Sequence, residues 1–261
     1  MVSRTVRDTA LFLDIGQGHE AGSAYWCPPL VRPYVQELQQ DPGKLRVAVV
    51  RQSMTGAPLE PAIAATLEQT LKQLLTLGHE IDELTLNVDP RQLFGAHGTV
   101  IGTGLRTLIH DREQVLGRAV TAQDLEKITL VNLERAKGTS GEDLYRARQS
   151  FESIGATMEQ HFERYDVILS PVTGSLTPKL GLLSLDQPWE SYAHNAMGSA
   201  GFTALANVSG QPAISLPLGQ SDNGLPVGMM FTARLGGEDV LLRLASQLEK
   251  AHPWAARRAF L

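Results

Sequence analysis

The sequence has little cysteine and no long apolar run, and each shortage excludes a class of protein. One cysteine among 261 residues rules out an internal disulfide framework. No uninterrupted apolar run reaches the roughly 18 residues of a membrane span, and Asp8 and Asp14 interrupt the stretch where a signal peptide needs its apolar core. We therefore expect a cytoplasmic protein that makes no membrane contact. Cys27, which precedes two prolines, is expected to have a packing or loop role.

The sequence also lacks an excess of positive charge. Its 23 Lys and Arg residues are scattered and are outnumbered by 28 Asp and Glu residues, which gives a net charge of -5. A nucleic-acid binder usually shows a basic patch or stripe. We therefore expect no nucleic-acid partner.

Standard catalytic and cofactor motifs are missing as well. His19 and His79 are each followed by Glu, but neither continues to His-Glu-x-x-His, and no Cys-x-x-Cys, phosphate-binding loop, Gly-x-Ser-x-Gly or dinucleotide fingerprint occurs. The seven histidines are spread singly along the chain. The motifs therefore predict no metal and no cofactor, and they identify no catalytic residue.

Hydrophobic periodicity predicts alternating strands and helices. Residues 44–50 read as a strand, a helix follows from Pro58 and Pro61 to Gly78, and residues 79–84 are again extended. Right-handed crossover geometry makes parallel pairing of the two strands the expected arrangement.

The remaining segments complete an α/β pattern, and no clean linker or repeat divides them. We expect a single α/β domain over residues 1–261, a mixed sheet flanked by helices. Its other elements are helices at 3–15 with Ser3 as N-cap, across 91–165 with breaks near 95–104 and 138–141, at 199–207 and at 240–248, and strands at 166–171, 213–218 and 227–232.

The entrance to the strand at 213–218 is unusual. Gly210 permits a backbone geometry that a side chain would block, and Pro212 removes a backbone donor at the strand's start. Ligands of open α/β sheets sit at strand ends, so this entrance is either one wall of a pocket or a packing turn. Trp189, Tyr192 and His194, in a predicted loop before the next helix, form either a pocket lining or a packed aromatic loop.

Several segments, in order, resemble the C-terminal part of the amidase signature family. The residues that carry the resemblance are Ser3-Arg4-Thr5-Val6-Arg7-Asp8, Tyr165 to Pro171, Phe202 to Leu218, Gly224 to Met230 and Asp239 to Glu249. Ala251-His252-Pro253-Trp254 is similar to bacterial amidases of the 6-aminohexanoate-cyclic-dimer hydrolase type.

The resemblance implies hydrolysis of amide or ester bonds by a serine, a second serine in a cis peptide, and a lysine. In the family these residues precede the helix that begins this sequence, and no Gly-Gly-Ser-Ser-Gly-Gly stretch occurs here. We therefore expect a chain without the catalytic segment, inactive alone, with no catalytic residue of its own. A small-molecule amide or ester would bind only once an upstream segment completes the site. The residues expected to line that pocket are Trp189, Tyr192, His194, Phe202, Asn207, Gly210, Gln211 and Pro212.

Two other functions stay open at this point. The exposed half of a sheet could bind a second copy of the chain or a complementary chain, which would make this a non-catalytic assembly protein. The strand, helix and strand at 45–86 could be a nucleotide- or acid-binding module, although it has no phosphate loop.

Overall fold

The computed structural model describes residues 1–23 and 29–257, and a five-stranded mixed sheet forms the centre of this part of the chain. Its strands are β1 Arg46–Val49, β2 Glu80–Glu83, β3 Val167–Pro171, β4 Ala213–Gln220 and β5 Pro226–Thr232, in the sheet order β2-β1-β3-β5-β4. Strands β2, β1 and β3 are parallel to one another, whereas β5 is antiparallel to both β3 and β4. The expected mixed α/β sheet is confirmed.

One face of the sheet packs against four helices. Alternate strand residues such as Val47, Val49 and Phe231 point to this face, because successive side chains of a strand point to opposite sides. The helices that contribute to this core are α1 Val6–Gly16, α2 Tyr34–Glu37, α3 Pro61–Thr76 and α9 Glu238–Ala251. Helix α3 connects the parallel strands β1 and β2, so the predicted strand-helix-strand unit is confirmed.

The opposite face carries a second apolar core. Here Ala48, Val50 and Ile168 of the sheet meet Ile154 and Met158 from a long helix. The helices that contribute to this core are α4 Pro90–Leu116, α6 Gly141–His161 and α8 Thr203–Ser209. Helix α5 Lys127–Arg135 packs against α4 and against α7 Trp189–Ala196.

Three local predictions need correction. Thr5, not Ser3, caps α1, because its side chain accepts the N–H of Asp8 at 3.1 Å. Helix α4 continues through its glycines without the predicted break. One of these glycines, Gly102, is there because of close packing. A Cβ on Gly102 would stand 2.9 Å from the Cβ of Ala136. The predicted loop at 189–196 is helix α7.

The predicted interruption at residues 138–141 is present between α5 and α6. Gly138 adopts a φ of 81°, and Ser140 then begins α6 with a capping box. Within the described residues, no helix is long and apolar enough to cross a membrane.

Candidate functional site

A large cleft in the described part of the chain runs along β4. Its volume is about 760 Å³, and it lies between the first residues of the chain, the edge strand β4 and the segment Trp254 to Arg257. Pro212 lines it, together with apolar residues such as Leu13, Ile214 and Leu241. Of the predicted pocket residues, Pro212 is therefore the one on the wall of this cleft.

Gly210 makes the turn that leads from α8 into β4. Its φ is 76°, a left-handed conformation that favours glycine, and its N–H donates to the carbonyl of Ala206 at 3.0 Å. A Cβ on Gly210 would meet only a Leu235 methyl at 4.0 Å. Backbone conformation, and not lack of space, accounts for glycine at this position.

Gln211 lies buried between three elements. Its Oε1 accepts the Ser209 hydroxyl at 2.7 Å, and its Nε2 donates to Oε2 of Glu159 on α6 at 3.0 Å. The same Glu159 oxygen accepts the N–H of Leu235, in the connection from β5 to α9, at 3.3 Å. Gln211 therefore fastens the entrance of β4 to α6 and to the β5–α9 connection.

Asn207 makes a different kind of contact. Its side chain is exposed, and its Nδ2 donates to the carbonyl of Thr203 one turn earlier in the same helix at 3.0 Å. Within the described chain, this side-chain hydrogen bond joins two residues of the same helix and does not connect α8 to another element.

Phe202 lies on the other side of α8, in the second core. It is buried and borders a narrow crevice of about 20 Å³ between α8 and the sheet, with Met54 and Ser170 among the other lining residues. Beside it, three connections meet near the carboxyl ends of β1 and β3. Met54 N–H donates to the Gly201 carbonyl at 2.8 Å, and Gly174 N–H donates to the Gly198 carbonyl at 2.7 Å.

Helix α7 holds the other predicted aromatic residues. The rings of Trp189 and Tyr192 lie with centroids 6.2 Å apart, and the guanidinium carbon of Arg135 on α5 stands 3.6 Å from the Trp189 ring centroid. His194 is exposed. This cluster of Trp189, Tyr192 and Arg135 joins α7 to α5 through a cation–π contact.

The eight predicted residues thus occupy four places, which are the entrance of β4, helix α7, the second core that holds Phe202, and the exposed surface of α8 that holds Asn207. The entrance of β4 brings Gly210, Gln211 and Pro212 together, and α7 brings Trp189 next to Tyr192. Sequence reasoning missed Glu159 and Arg135, which fix these two groups. No local pattern marks them, because Glu159 lies 52 residues from Gln211 along the chain.

Within residues 1–23 and 29–257, no group of three or more His, Cys, Asp or Glu side chains is placed to hold a metal ion. The prediction for Cys27 falls outside the described residues.

The mixed sheet with helices on both faces is similar in fold to solved amidase signature enzymes. A solved structure of 6-aminohexanoate cyclic dimer hydrolase matches with a TM-score of 0.89 and 32% identity, over 98% of this chain and 55% of that chain. A bacterial aryl acylamidase of the same enzyme class, at 18% identity and a TM-score of 0.80, is similar in fold.

Sequence comparison gives the family. The amidase family model matches residues 1–242, and the chain therefore belongs to the amidase family. It is 32% identical to the 6-aminohexanoate-cyclic-dimer hydrolase of Paenarthrobacter ureafaciens, over 99% of this chain and 54% of the relative. It is 31% identical to the putative amidase AmiC of Mycobacterium leprae, over 98% of this chain and 53% of the relative. The chain thus spans about half the length of the curated relatives it matches.

Proposed function

We propose that this chain is the C-terminal part of an amidase-type hydrolase and folds as a single α/β domain. The observation that carries the proposal is the match to an amide-hydrolysing family over nearly the whole chain, at about half of each relative's length. The nucleophilic serine, the cis-peptide serine and the lysine that the resemblance implies would come from residues outside this sequence.

The serines at the β4 entrance are poor substitutes for that machinery. A serine hydroxyl becomes an effective nucleophile when a positioned base takes its proton. The Ser209 hydroxyl instead donates to the buried Gln211 amide, and Lys179 is exposed on the β3–α7 connection. Removing a complete catalytic unit costs on the order of 10⁶ in rate, so the isolated chain is expected to be inactive.

In the proposed enzyme, the entrance of β4 braces the substrate pocket. Gly210 sets the direction of the chain, Pro212 contributes cleft surface, and Gln211 fixes both through Glu159. Trp189, Tyr192, His194 and Phe202 would contact apolar parts of a small amide or ester, and Asn207 would offer an exposed amide. No cofactor is part of this proposal.

The test compares the chain alone with a chimera. The chimera joins the chain to the part of the Paenarthrobacter ureafaciens hydrolase that lies outside the match. Hydrolysis of the 6-aminohexanoate cyclic dimer and of an aryl amide is then followed by amine release. We expect the background rate from the chain alone and turnover from the chimera, lost when the chimera's serine or lysine is replaced. Turnover by the chain alone, or a folded chimera without turnover on either amide, would contradict the proposal.

A non-catalytic assembly protein is the second candidate. Within the described residues, β4 pairs only with β5, and its open edge favours this candidate. In that case the chain would self-associate through this edge or bind a complementary chain. Light scattering over a concentration series tests the self-association form of this candidate, because a monomer at high concentration excludes it. A cytoplasmic location is part of both proposals and is tested by cell fractionation.

A further inference from the structure

We propose that the outer face of helix α4 is an interface between two copies of this chain, in which the two α4 helices pack antiparallel about Leu108. The apolar stripe of this face consists of Ile101, Leu108 and Val115, and Asp111 and Arg112 flank it. The inference does not rest on the proposed function, because it uses no property of the amidase family.

The apolar stripe is exposed along the second half of α4. Ile101, Leu108 and Val115 follow one another at intervals of seven residues, or two helical turns, so they lie on one side of the helix. Their exposed fractions are 54%, 68% and 76%. The other side of α4 packs inside the chain, where Gly102 lies against Ala136 of the α5 end. A surface helix normally turns polar residues to water, so a repeated apolar stripe on that side marks an interaction surface.

The order of residues along the stripe is symmetric about Leu108. Ile101 precedes Leu108 by the same number of residues by which Val115 follows it. In an antiparallel pair with a two-fold axis at Leu108, Ile101 of each copy therefore faces Val115 of the other, and the two Leu108 side chains meet at the centre. A two-fold interface must be complementary to itself, and the stripe meets that condition.

The two charged residues favour the same occupant. Asp111 and Arg112 are exposed on opposite flanks of the stripe, and none of the ion pairs between described residues includes either of them. Helical side chains lean toward the N-terminus of their helix. In the antiparallel pair, Arg112 of one copy and Asp111 of the other therefore lean toward each other on one flank, from positions about 10 Å apart along the axis. The two-fold axis creates this pair of opposite charges twice.

The outer face of α4 is separate from the cleft along β4. Among the described residues that line the cleft, none belongs to α4. Helix α4 follows β2, which lies at the opposite edge of the sheet from β4. Association through α4 therefore uses neither the cleft nor the edge of β4, and substitutions can separate the two modes.

Sedimentation equilibrium over a concentration series tests the interface. The stripe is about 21 Å long, and a single helix pair buries less than the roughly 800 Å² per partner of a standard interface, so we expect a reversible dimer with a micromolar dissociation constant. Leu108→Glu should raise that constant at least about tenfold, because it places two carboxylates at the centre. If Leu108→Glu fails to fold by circular dichroism, Leu108→Gln takes its place.

Leu180→Glu is the matched control. Leu180 is fully exposed in the connection between β3 and α7, away from the stripe. The same change of leucine to glutamate there should leave the dissociation constant unchanged.

An exchange of charges tests the predicted ion pairs. Asp111→Arg and Arg112→Asp should each raise the dissociation constant roughly fivefold, because each places like charges on the same flank. The double variant, with both substitutions, should restore it to within about twofold.

Cysteine cross-linking tests the antiparallel order, in a Cys27→Ser background. A mixture of Ile101→Cys and Val115→Cys chains should form a disulfide-linked dimer under mild oxidation. Ile101→Cys alone should not, because the two copies of this position would stand about 21 Å apart, beyond the reach of a disulfide.

Each outcome supports or overturns the α4 interface. A monomer at every concentration, a double charge variant as weak as the single ones, or a disulfide between two Ile101→Cys chains would overturn it. A dimer that persists unchanged in Leu108→Glu would place self-association elsewhere on the chain, such as the edge of β4, and would also overturn it.

Discussion

Gly201 lies directly against Ser53, so that these two residues fasten the start of α8 to the loop after β1. A Cβ on Gly201 would overlap the Ser53 hydroxyl and stand 2.9 Å from its Cβ. The Ser53 side chain is buried, and its hydroxyl bonds that of Thr55 at 2.7 Å. Thr55 in turn donates to the Met197 carbonyl at 3.0 Å. The glycine is therefore required by close packing of two connections.

Gly201→Ala should destabilise the chain by about 1–3 kcal/mol, because Ser53 cannot move without breaking its bond to Thr55. Gly104→Ala is the control. Gly104 is exposed within α4 and has nothing within 4 Å of an added Cβ, so alanine there should stabilise the chain by up to about 1 kcal/mol. Urea unfolding followed by circular dichroism measures both. Equal effects of the two substitutions would show that the contact with Ser53 is unimportant.

Strand β1 could be predicted because its residues alternate between two buried faces. Val47 and Val49 enter one core while Ala48 and Val50 enter the other, which gives a continuous apolar run in the sequence. The mixed sheet followed from such runs and from the family resemblance. The glycines of α4 led to a wrong prediction of a helix break, because local propensity does not show that Gly102 lies against Ala136.

The candidate site was less predictable, because its residues are fixed by distant partners. The polar helix α7 has no buried residue to mark it as a helix, and the contact between Trp189 and Arg135 joins separate segments. Gly210 and Pro212 could be recognised as a strand entrance from their backbone properties alone. The acceptor for Gln211 could not, since Glu159 belongs to a helix far earlier in the chain.

Gln211→Ala should destabilise the chain by about 1–3 kcal/mol. The substitution leaves the Ser209 hydroxyl without its acceptor and removes the donor to Glu159. Asn207→Ala removes an amide of the neighbouring helix that is exposed and bonds only within that helix, so its effect should stay within about 0.5 kcal/mol. Urea midpoints of the two variants give the comparison. A cost for Asn207→Ala as large as that for Gln211→Ala would refute the bracing role assigned to Gln211.

Arg135→Gln should loosen α7 and expose Trp189. The guanidinium covers the indole ring, and a cation–π contact of this kind is worth about 0.5–1 kcal/mol at an exposed site. Acrylamide quenching of tryptophan fluorescence, with Trp189→Phe subtracted, reports the change. Arg135→Lys keeps the positive charge, so its quenching of Trp189 should lie between that of the natural chain and that of Arg135→Gln. Unchanged quenching in Arg135→Gln would mean that other contacts hold α7.

Glu249 should make the stability of the chain fall as the pH rises from acid. Burial raises the pKa of its carboxyl above the usual 4.5, although the Val6 N–H that donates to it at 3.2 Å opposes the shift and nearby Asp8 adds to it. Because the folded-state pKa exceeds the unfolded one, the contribution of Glu249 is fully present below pH 4.5 and is lost as the pH rises through the folded value. Glu249→Gln keeps an oxygen for Val6 and cannot ionise. The melting temperature of Glu249→Gln minus that of the natural chain should therefore grow through this window and then level off. A difference that shrinks with rising pH would mean that the folded chain favours the ionised carboxylate.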